Sequence, residues 1–316
     1  MTKEKQFIKR ENGEMASAQF PVIVSASRST DIPGFYADWF LHRLKVGYSA
    51  WTNPFNGVQS YVSYRDTRLI VFWSKNPEAL LKQGGLLDYL EENDIHCYIQ
   101  YTLNDYVAER LEKGVPSVEK RIDTFKQLVD RLGVGKVIWR FDPLLLTDTI
   151  NIDLLLKKIE GIGDQIVGYT DKLVFSFADI LSYRKVKANL ETSHINYREW
   201  SIPEMEEFAS KLSELKKKWR FTIATCGEKI DLDKYGITHN RCVDDDLIIK
   251  IAWEDPVLMQ FLGVEIYEIE SGLFGFDSIP KGAIVLNEGH YAVKKKNNKD
   301  KGQRQFCGCV ISKDIG

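Results

Sequence analysis

The segment "SVEKRIDTFKQLVDRLGVGKVIWRFDP", residues 117–143, contains the two patterns that decide how this chain folds. Residues 117–133 have the apolar spacing of an amphipathic helix, and "KVIWRF", residues 136–141, is a short β-like run. A helix followed closely by a strand is the repeating unit of a parallel sheet. We therefore expect further strands and helices to alternate along the rest of the chain.

Seven β-like runs occur along the chain, most of them separated by helical segments such as residues 202–218. They are "FPVIVSAS" (20–27), "VGYSAW" (46–51), "RLIVFWS" (68–74), "IHCYIQYTL" (95–103), "KVIWRF" (136–141), "KLVFSFA" (172–178) and "WRFTIATC" (219–226). Alternating strands and helices imply parallel pairing, and seven units are one short of a (β/α)8 barrel. The pattern predicts an α/β fold, a full or partial TIM-type barrel. A doubly wound sheet is the alternative, although no glycine-rich phosphate fingerprint follows the first strand.

Composition divides the chain into three parts. Residues 1–20 are a polar N-terminal leader, residues 21–290 form the barrel-like domain, and residues 291–316 are a basic linker with a Cys-Gly-Cys tail. A formal charge of −2 over 316 residues argues against a protein dedicated to coating nucleic acid or a membrane surface. Because neither a signal peptide nor a spanning apolar run is present in this sequence, we expect a cytoplasmic protein without a membrane segment.

The linker carries a concentration of positive charge. We interpret it as a solvated connection, and an arm that contacts the phosphates of nucleic acid is the alternative. Its six basic residues are Lys294, Lys295, Lys296, Lys299, Lys301 and Arg304.

Polar side chains gather late in the predicted strands. Alternation places Arg140 and Asp142 on one face of their strand, opposite Trp139 and Phe141. The carboxyl ends of barrel strands form the active-site mouth, so we expect these side chains to converge there. The residues concerned are Arg28, Asp31, Lys75, Gln100, Arg140, Asp142, Ser176, Cys226 and Glu228.

We assign two roles to this set. Four residues are predicted to bind a small polar or anionic ligand: Arg28, Asp31, Lys75 and Arg140. The carboxyl groups of Asp142 and Glu228 are predicted to serve acid–base catalysis. The alternative for Arg140 and Asp142 is a structural ion pair without chemistry.

Four of the five cysteines lie in the last third of the chain: Cys226, Cys242, Cys307 and Cys309. Four thiolates are a ligand set for structural zinc or for an iron–sulfur cluster. A shared metal site would also anchor a tail that has too few apolar residues to be buried. The sequence therefore predicts a four-cysteine metal site. Separately packed cysteines are the alternative, and His239 is a substitute ligand.

Seven segments, in order, resemble the bacterial domain-of-unknown-function family 1848, from about residue 21 to residue 316. They are "VIVSASRSTDIPGFYADWF", "NPFN", "IVFWSKNP", "WRFDPLLL", "TCGEKIDL", "GITHNRCVDDDLI" and "CGCVISKDIG". Members of that family are similar to radical SAM proteins whose cysteine motif has moved to the C-terminus. The resemblance therefore implies a radical SAM-like barrel, and it alone suggests S-adenosylmethionine as a cofactor.

The family pattern continues beyond the Cys-Gly-Cys segment into a C-x-x-x-C-x-x-C that binds a [4Fe–4S] cluster, and the present sequence ends at Gly316, before that motif. The chain is then a fragment, has lost the cluster, or acts without it. Two hypotheses follow. The first is a radical SAM-like iron–sulfur enzyme, and the second is a non-catalytic, zinc-stapled protein that binds nucleic acid or another phosphate-bearing partner.

Overall fold

The computed structural model describes residues 6–27, 30–53, 55–112, 114–182, 184–269, 279–287, 289–295 and 307–316. Five residues singled out from the sequence lie outside these ranges: Arg28, Lys296, Lys299, Lys301 and Arg304.

The described residues form strands throughout the chain. They are β1 (Gln6–Lys9), β2 (Met15–Gln19), β3 (Ile23–Ala26), β4 (Tyr48–Thr52), β5 (Gln59–Ser63), β6 (Leu69–Ser74), β7 (His96–Thr102), β8 (Val137–Leu144), β9 (Leu146–Thr147), β10 (Lys172–Phe177), β11 (Tyr197–Arg198), β12 (Thr222–Thr225), β13 (Ile237–His239), β14 (Val264–Glu268), β15 (Ile284–Val285), β16 (His290–Lys294) and β17 (Lys313–Ile315).

Helices alternate with many of these strands. They are α1 (Ile32–Phe35), α2 (Ala37–Val46), α3 (Leu86–Glu92), α4 (Val118–Leu132), α5 (Ile152–Gly163), α6 (Arg184–Thr192), α7 (Ile202–Trp219), α8 (Asp245–Ala252) and α9 (Pro256–Leu262). Within the described ranges, none of the helices combines the length and the apolar character needed to cross a lipid bilayer.

The largest sheet has eight strands, and every neighbouring pair in it is parallel. Its order is β13-β12-β10-β8-β7-β6-β3-β17, so seven strands follow chain order and β17 lies beside β3. This arrangement confirms the predicted α/β class. The two outer strands, β13 and β17, share no ladder within the described residues, so closure into a barrel is not shown.

Both faces of the large sheet are covered, which explains why its strands are almost continuously apolar. One face carries Phe72, Trp139 and Phe175 and packs against α2, α3, α4, α5 and α7. The opposite face carries Val71 and Ile138 and packs against α8, α9 and the C-terminal segment. The C-terminal segment on this opposite face places the cysteine-rich part of the chain against the sheet.

Helix α4 shows how the opening segment produces one covering helix. Ser117 caps its first turn by accepting a hydrogen bond from the Lys120 backbone at 3.3 Å. Ile122, Phe125 and Val129 recur at helical spacing, and all three are buried. The helix ends at Gly133, whose φ of 98° suits glycine. The predicted helix and the strand after it are both confirmed.

The run "VGYSAW" was predicted as a strand of the parallel sheet, and that prediction is wrong. Strand β4 instead pairs antiparallel with β5 in a separate four-stranded sheet of order β1-β2-β5-β4. The cause is a tight reversal after β4, in which Gly57, at φ 68°, donates to the Asn53 carbonyl at 2.9 Å. Strands β1 and β2 of this sheet come from the polar leader.

Two strands of the large sheet, β13 and β17, were not recognised in the sequence. Each has only three residues, too few for a two-residue alternation to stand out. Strand β17 pairs with β3 from Lys313 opposite Val24 to Ile315 opposite Ala26. A hydrogen bond of 2.5 Å between the hydroxyls of Ser25 and Ser312 adjoins this ladder. The tail is therefore attached to the sheet by backbone pairing.

Two isoleucines of the tail test this attachment. Ile315 is 8% exposed, whereas Ile311 is 52% exposed. We expect Ile315→Ala to lower the free energy of unfolding by about 2 kcal/mol, and Ile311→Ala to change it by less than about 0.5 kcal/mol. Urea titration monitored by circular dichroism measures both. Equal losses in the two variants would contradict the described packing of β17.

Candidate functional site

A cavity of about 670 Å³ opens at the carboxyl ends of β8, β10 and β12. Four residues that follow or end these strands line it: Asp142, Ser176, Cys226 and Glu228. Parallel neighbouring strands bring their carboxyl ends to one edge of a sheet, which explains why residues far apart in sequence meet here. A cavity of this size can hold a small organic ligand.

Asp142, which lines this cavity, forms an ion pair with Arg140. The Arg140 Nε donates to Asp142 Oδ2 at 3.1 Å, and its Nη2 contacts the same oxygen. The Ser176 hydroxyl donates to the other carboxylate oxygen, Oδ1. The Arg140 side chain is only 5% exposed, and that of Asp142 is 20% exposed. Both oxygens of Asp142 are therefore engaged.

Arg140 also reaches the cysteine-rich segment. Its Nη1 donates to Gln100 Oε1 at 3.2 Å and to Cys242 Sγ at 3.4 Å. Burial alone would lower the pKa of Arg140, but the charges of Asp142 and Cys242 raise it well above its ordinary value. A permanent positive charge thus lies against a thiol, where it stabilises the thiolate.

Four thiols form a row, which we call the thiol row: Cys226, Cys242, Cys309 and Cys307. The sulfurs of Cys226 and Cys242 are 3.1 Å apart. The row continues through Cys309, whose thiol interacts with those of Cys242 and Cys307. The Cys242 backbone N–H also donates to Cys309 Sγ at 3.2 Å. All four cysteines are free thiols.

Strand ends and backbone contacts hold the thiol row in place. The N–H of Cys226, just after β12, donates to the Phe175 carbonyl at 2.8 Å. The Cys242 carbonyl accepts from the Tyr98 hydroxyl at 2.6 Å and from Gln100 Nε2 at 2.9 Å. These contacts fix the segment that carries the central thiol of the row.

The thiol row has the donor chemistry of a soft-metal site, but its sulfurs are not arranged as a tetrahedron. Tetrahedral zinc needs sulfurs about 3.5 to 4 Å from one another. Among the described residues, the group of potential ligand atoms that all lie within 4.8 Å is Asp244, Asp245 and Asp246, so no three thiols meet that limit. The row must therefore close up to hold a tetrahedral ion.

The aspartate trio is already neutralised by neighbouring cations. Arg241 contacts all three carboxylates, and Lys294 Nζ lies 2.5 Å from both Asp245 and Asp246. The trio is therefore a partly buried charge cluster and not a metal site with free ligands. Lys294, predicted to lie in a solvated linker, is part of β16 and of this cluster.

The thiols of the row differ in acidity. A hydrogen bond from the Cys242 thiol lowers the pKa of Cys309. The hydrogen bond with Cys242, together with burial, raises the pKa of Cys226 far above its usual range. Cys309 therefore ionises more readily than Cys226. The thiolate is the form of cysteine that binds metals.

Glu228 lines the same cavity as Asp142 and has a free carboxylate oxygen. Its Oε1 accepts from the Phe177 N–H at 2.8 Å, and no hydrogen bond to a described residue involves Oε2. Burial raises the pKa of Glu228, the Phe177 hydrogen bond opposes this, and the charge of Asp142 adds to the rise. A carboxyl group with a raised pKa is suited to proton transfer near neutral pH.

Two other residues predicted for the mouth, Asp31 and Lys75, follow β3 and β6 and do not line this cavity. Asp31 caps α1 through the Gly34 N–H at 2.8 Å and accepts from Ser74 and from the Lys75 backbone. The Lys75 ammonium pairs with the nearly buried carboxylate of Glu112. Both side chains therefore have partners of their own, outside the cavity that Asp142 and Glu228 share.

The substitute ligand His239 also lies apart from the thiol row. Its Nδ1 is 3.3 Å from the Thr225 hydroxyl. Tyr98 and Gln100, in contrast, donate hydrogen bonds to the Cys242 carbonyl. The sequence did not link these two residues to the cysteines. No local signal could have revealed them, because more than 140 residues separate them from Cys242.

The fold and the site together define an α/β protein on a parallel sheet, with a cavity and a row of thiols at the carboxyl ends of its strands. The chain belongs to the family "Domain of unknown function (DUF1848)", whose profile matches residues 23–316. Comparison with curated proteins and with solved structures found no match.

Proposed function

We propose that this protein is a metal-dependent enzyme whose metal centre, an iron–sulfur cluster or zinc, is held by Cys226, Cys242, Cys307 and Cys309. The observation that carries the proposal is the position of Cys226. Its sulfur is 3.1 Å from that of Cys242, and the residue also lines the ligand cavity. A purely structural metal would be enclosed, whereas a catalytic metal keeps access to a ligand.

We also propose that the large sheet is a partial TIM-type barrel. A (β/α)8 barrel has its strands in chain order, with the last strand beside the first. The eight-stranded sheet has seven strands in chain order and β17 beside β3. This order supports a partial TIM-type barrel that is open between β13 and β17. Its radical SAM-like character, and with it a role for S-adenosylmethionine, rests on the family resemblance alone.

In this proposal, the residues around the cavity have different roles in catalysis. Arg140 stabilises the Cys242 thiolate through the 3.4 Å contact and holds Asp142 in place. Because both oxygens of Asp142 are engaged, it orients its neighbours, and Glu228, with its free oxygen, carries the proton. A bound iron–sulfur cluster would supply electron transfer, and a bound zinc ion would supply Lewis acidity. Reduced thiols require a reducing compartment, so we place the protein in the cytoplasm.

A second candidate is the non-catalytic protein in which zinc staples the tail. The contact that favours it is the 3.2 Å hydrogen bond from the Cys242 N–H to Cys309 Sγ, which joins the tail to the sheet side of the site. Its nucleic-acid arm has less support, because Lys294 pairs with Asp245 and Lys295 with Glu265.

Metal analysis of protein purified without oxygen tests both candidates. We expect the chain to contain a stoichiometric metal, because the four thiols lie in one row and the Arg140 guanidinium offsets their charge. Iron with acid-labile sulfide and a visible absorption band supports the enzyme. Colourless protein with one zinc ion per chain supports the non-catalytic protein in which zinc holds the tail. Metal-free protein whose four thiols all react with an alkylating reagent contradicts both.

A further inference from the structure

The residues that line the cavity beside the thiol row fall into two chemically different groups, which we call its apolar wall and its acidic wall. One wall is apolar and includes Phe177, Trp200 and Met205. The rings of Phe177 and Trp200 have centroids 4.7 Å apart, and the Trp200 indole N–H already donates to the Leu144 carbonyl at 2.9 Å. This wall therefore offers a ligand apolar and aromatic surface.

The other wall is acidic. Among the described residues that line the cavity, it contains the carboxylates of Asp142, Asp179, Glu199 and Glu228 and one cation, Lys229. Asp142 is neutralised by Arg140, and both oxygens of Asp179 accept from Ser182, but the described lining still has three carboxylates without an ion-pair partner and only one lysine. An anionic ligand would meet this excess negative charge in a partly buried space, where repulsion is stronger than in water.

Two of the cations that the sequence suggested for holding an anion lie in the described residues, and both already have a carboxylate partner. Lys75 pairs with Glu112, and Arg140 pairs with Asp142. By contrast, Glu228 binds the Phe177 N–H through Oε1 only, and Glu199 accepts from the Leu181 N–H through its own Oε1. Within the described part of the chain, the second oxygen of each carboxylate makes no hydrogen bond. Two acceptors therefore remain for a donor ligand.

We infer that this cavity binds an amphipathic cation, an organic amine with an aromatic or aliphatic body. The ammonium group donates to the free oxygens of Glu228 and Glu199, and the body lies against Phe177 and Trp200. An ammonium group has three donors and no acceptor, which matches a wall of unpaired carboxylate oxygens. The inference names the ligand class of the proposed enzyme site and rests on that proposal for the link to catalysis.

Calorimetric titration with a matched pair of probes tests this inference. Tryptamine carries an ammonium group and indole-3-propionate a carboxylate, on the same indole body. We expect tryptamine to bind at least about tenfold more tightly, and Glu228→Gln to weaken its binding by about tenfold, as expected for loss of a charged hydrogen bond. Glu254→Gln, which removes an exposed carboxylate outside the cavity, should leave the affinity unchanged.

Three results would overturn the inference. They are equal or tighter binding of indole-3-propionate, unchanged tryptamine affinity in Glu228→Gln, and no binding of either tryptamine or hexylamine at millimolar concentration. Thermal melting confirms that each variant is folded. Metal analysis of the purified protein separates this test from the previous proposal. If the protein is purified without metal and still binds the amine, the metal site alone is overturned. If it is purified with metal and shows no preference for the amine, the ligand class alone is overturned.

Discussion

Replacing Cys242 with alanine should reduce the metal bound by this protein at least about tenfold, since structural ligands are needed for tight binding. Cys242 is central to the thiol row because it contacts Cys226 on one side and Cys309 on the other. Its backbone is held by Tyr98 and Gln100, so another thiol cannot move into its place. Inductively coupled plasma mass spectrometry of the anaerobically purified variant measures the loss.

The fifth cysteine supplies a matched control. Cys97 is buried in β7 and packs with the helix layer on the opposite face of the sheet from the thiol row. We expect Cys97→Ala to remove a buried thiol and keep full metal content. The metal site is disproved if Cys242→Ala retains its metal, or if both variants lose metal equally.

Replacing Arg140 with methionine should lower the free energy of unfolding by about 3 kcal/mol, because removing one partner of a buried ion pair leaves an uncompensated charge. Asp142 would then keep only its contact with Ser176. The double variant Arg140→Met/Asp142→Leu should recover most of this loss, since no unpaired charge remains. Urea unfolding of the two single variants and the double variant gives the coupling energy.

An exposed ion pair provides the comparison. Lys211 and Asp153 are 2.7 Å apart, with side chains 42% and 76% exposed. We expect Lys211→Met to cost no more than about 1 kcal/mol. A loss of similar size in Arg140→Met, or a double variant no more stable than the single one, would show that the buried pair contributes little.

Some features of the site could be predicted because they depend on local geometry. Arg140 and Asp142 are two residues apart on a strand, and side chains on a strand alternate between faces. That rule requires no knowledge of other strands. It separates the pair from Trp139 and Phe141, and in the structure Trp139 and Phe141 pack in the helix-side core while Arg140 contacts Cys242.

Other features depend on partners that sequence patterns do not identify. "VGYSAW" does form a strand, but a turn containing Gly57 pairs that strand with β5 instead of the large sheet. Lys75 was assigned to an anion, and its partner Glu112 lies 37 residues away. Propensity and period predict what an element is, and long-range contacts decide what it touches.

The pairing of β17 with β3 also has a consequence for how the protein is made. The bonded hydroxyls of Ser25 and Ser312 are 287 residues apart. At a synthesis rate of about 5 to 20 residues per second, one edge of β3 waits roughly 15 to 60 seconds for its partner. During that time its backbone can pair with a neighbouring nascent chain. Polysomes translating this message therefore carry a risk of association between chains, which a ribosome-bound chaperone that covers the start of the sheet would reduce.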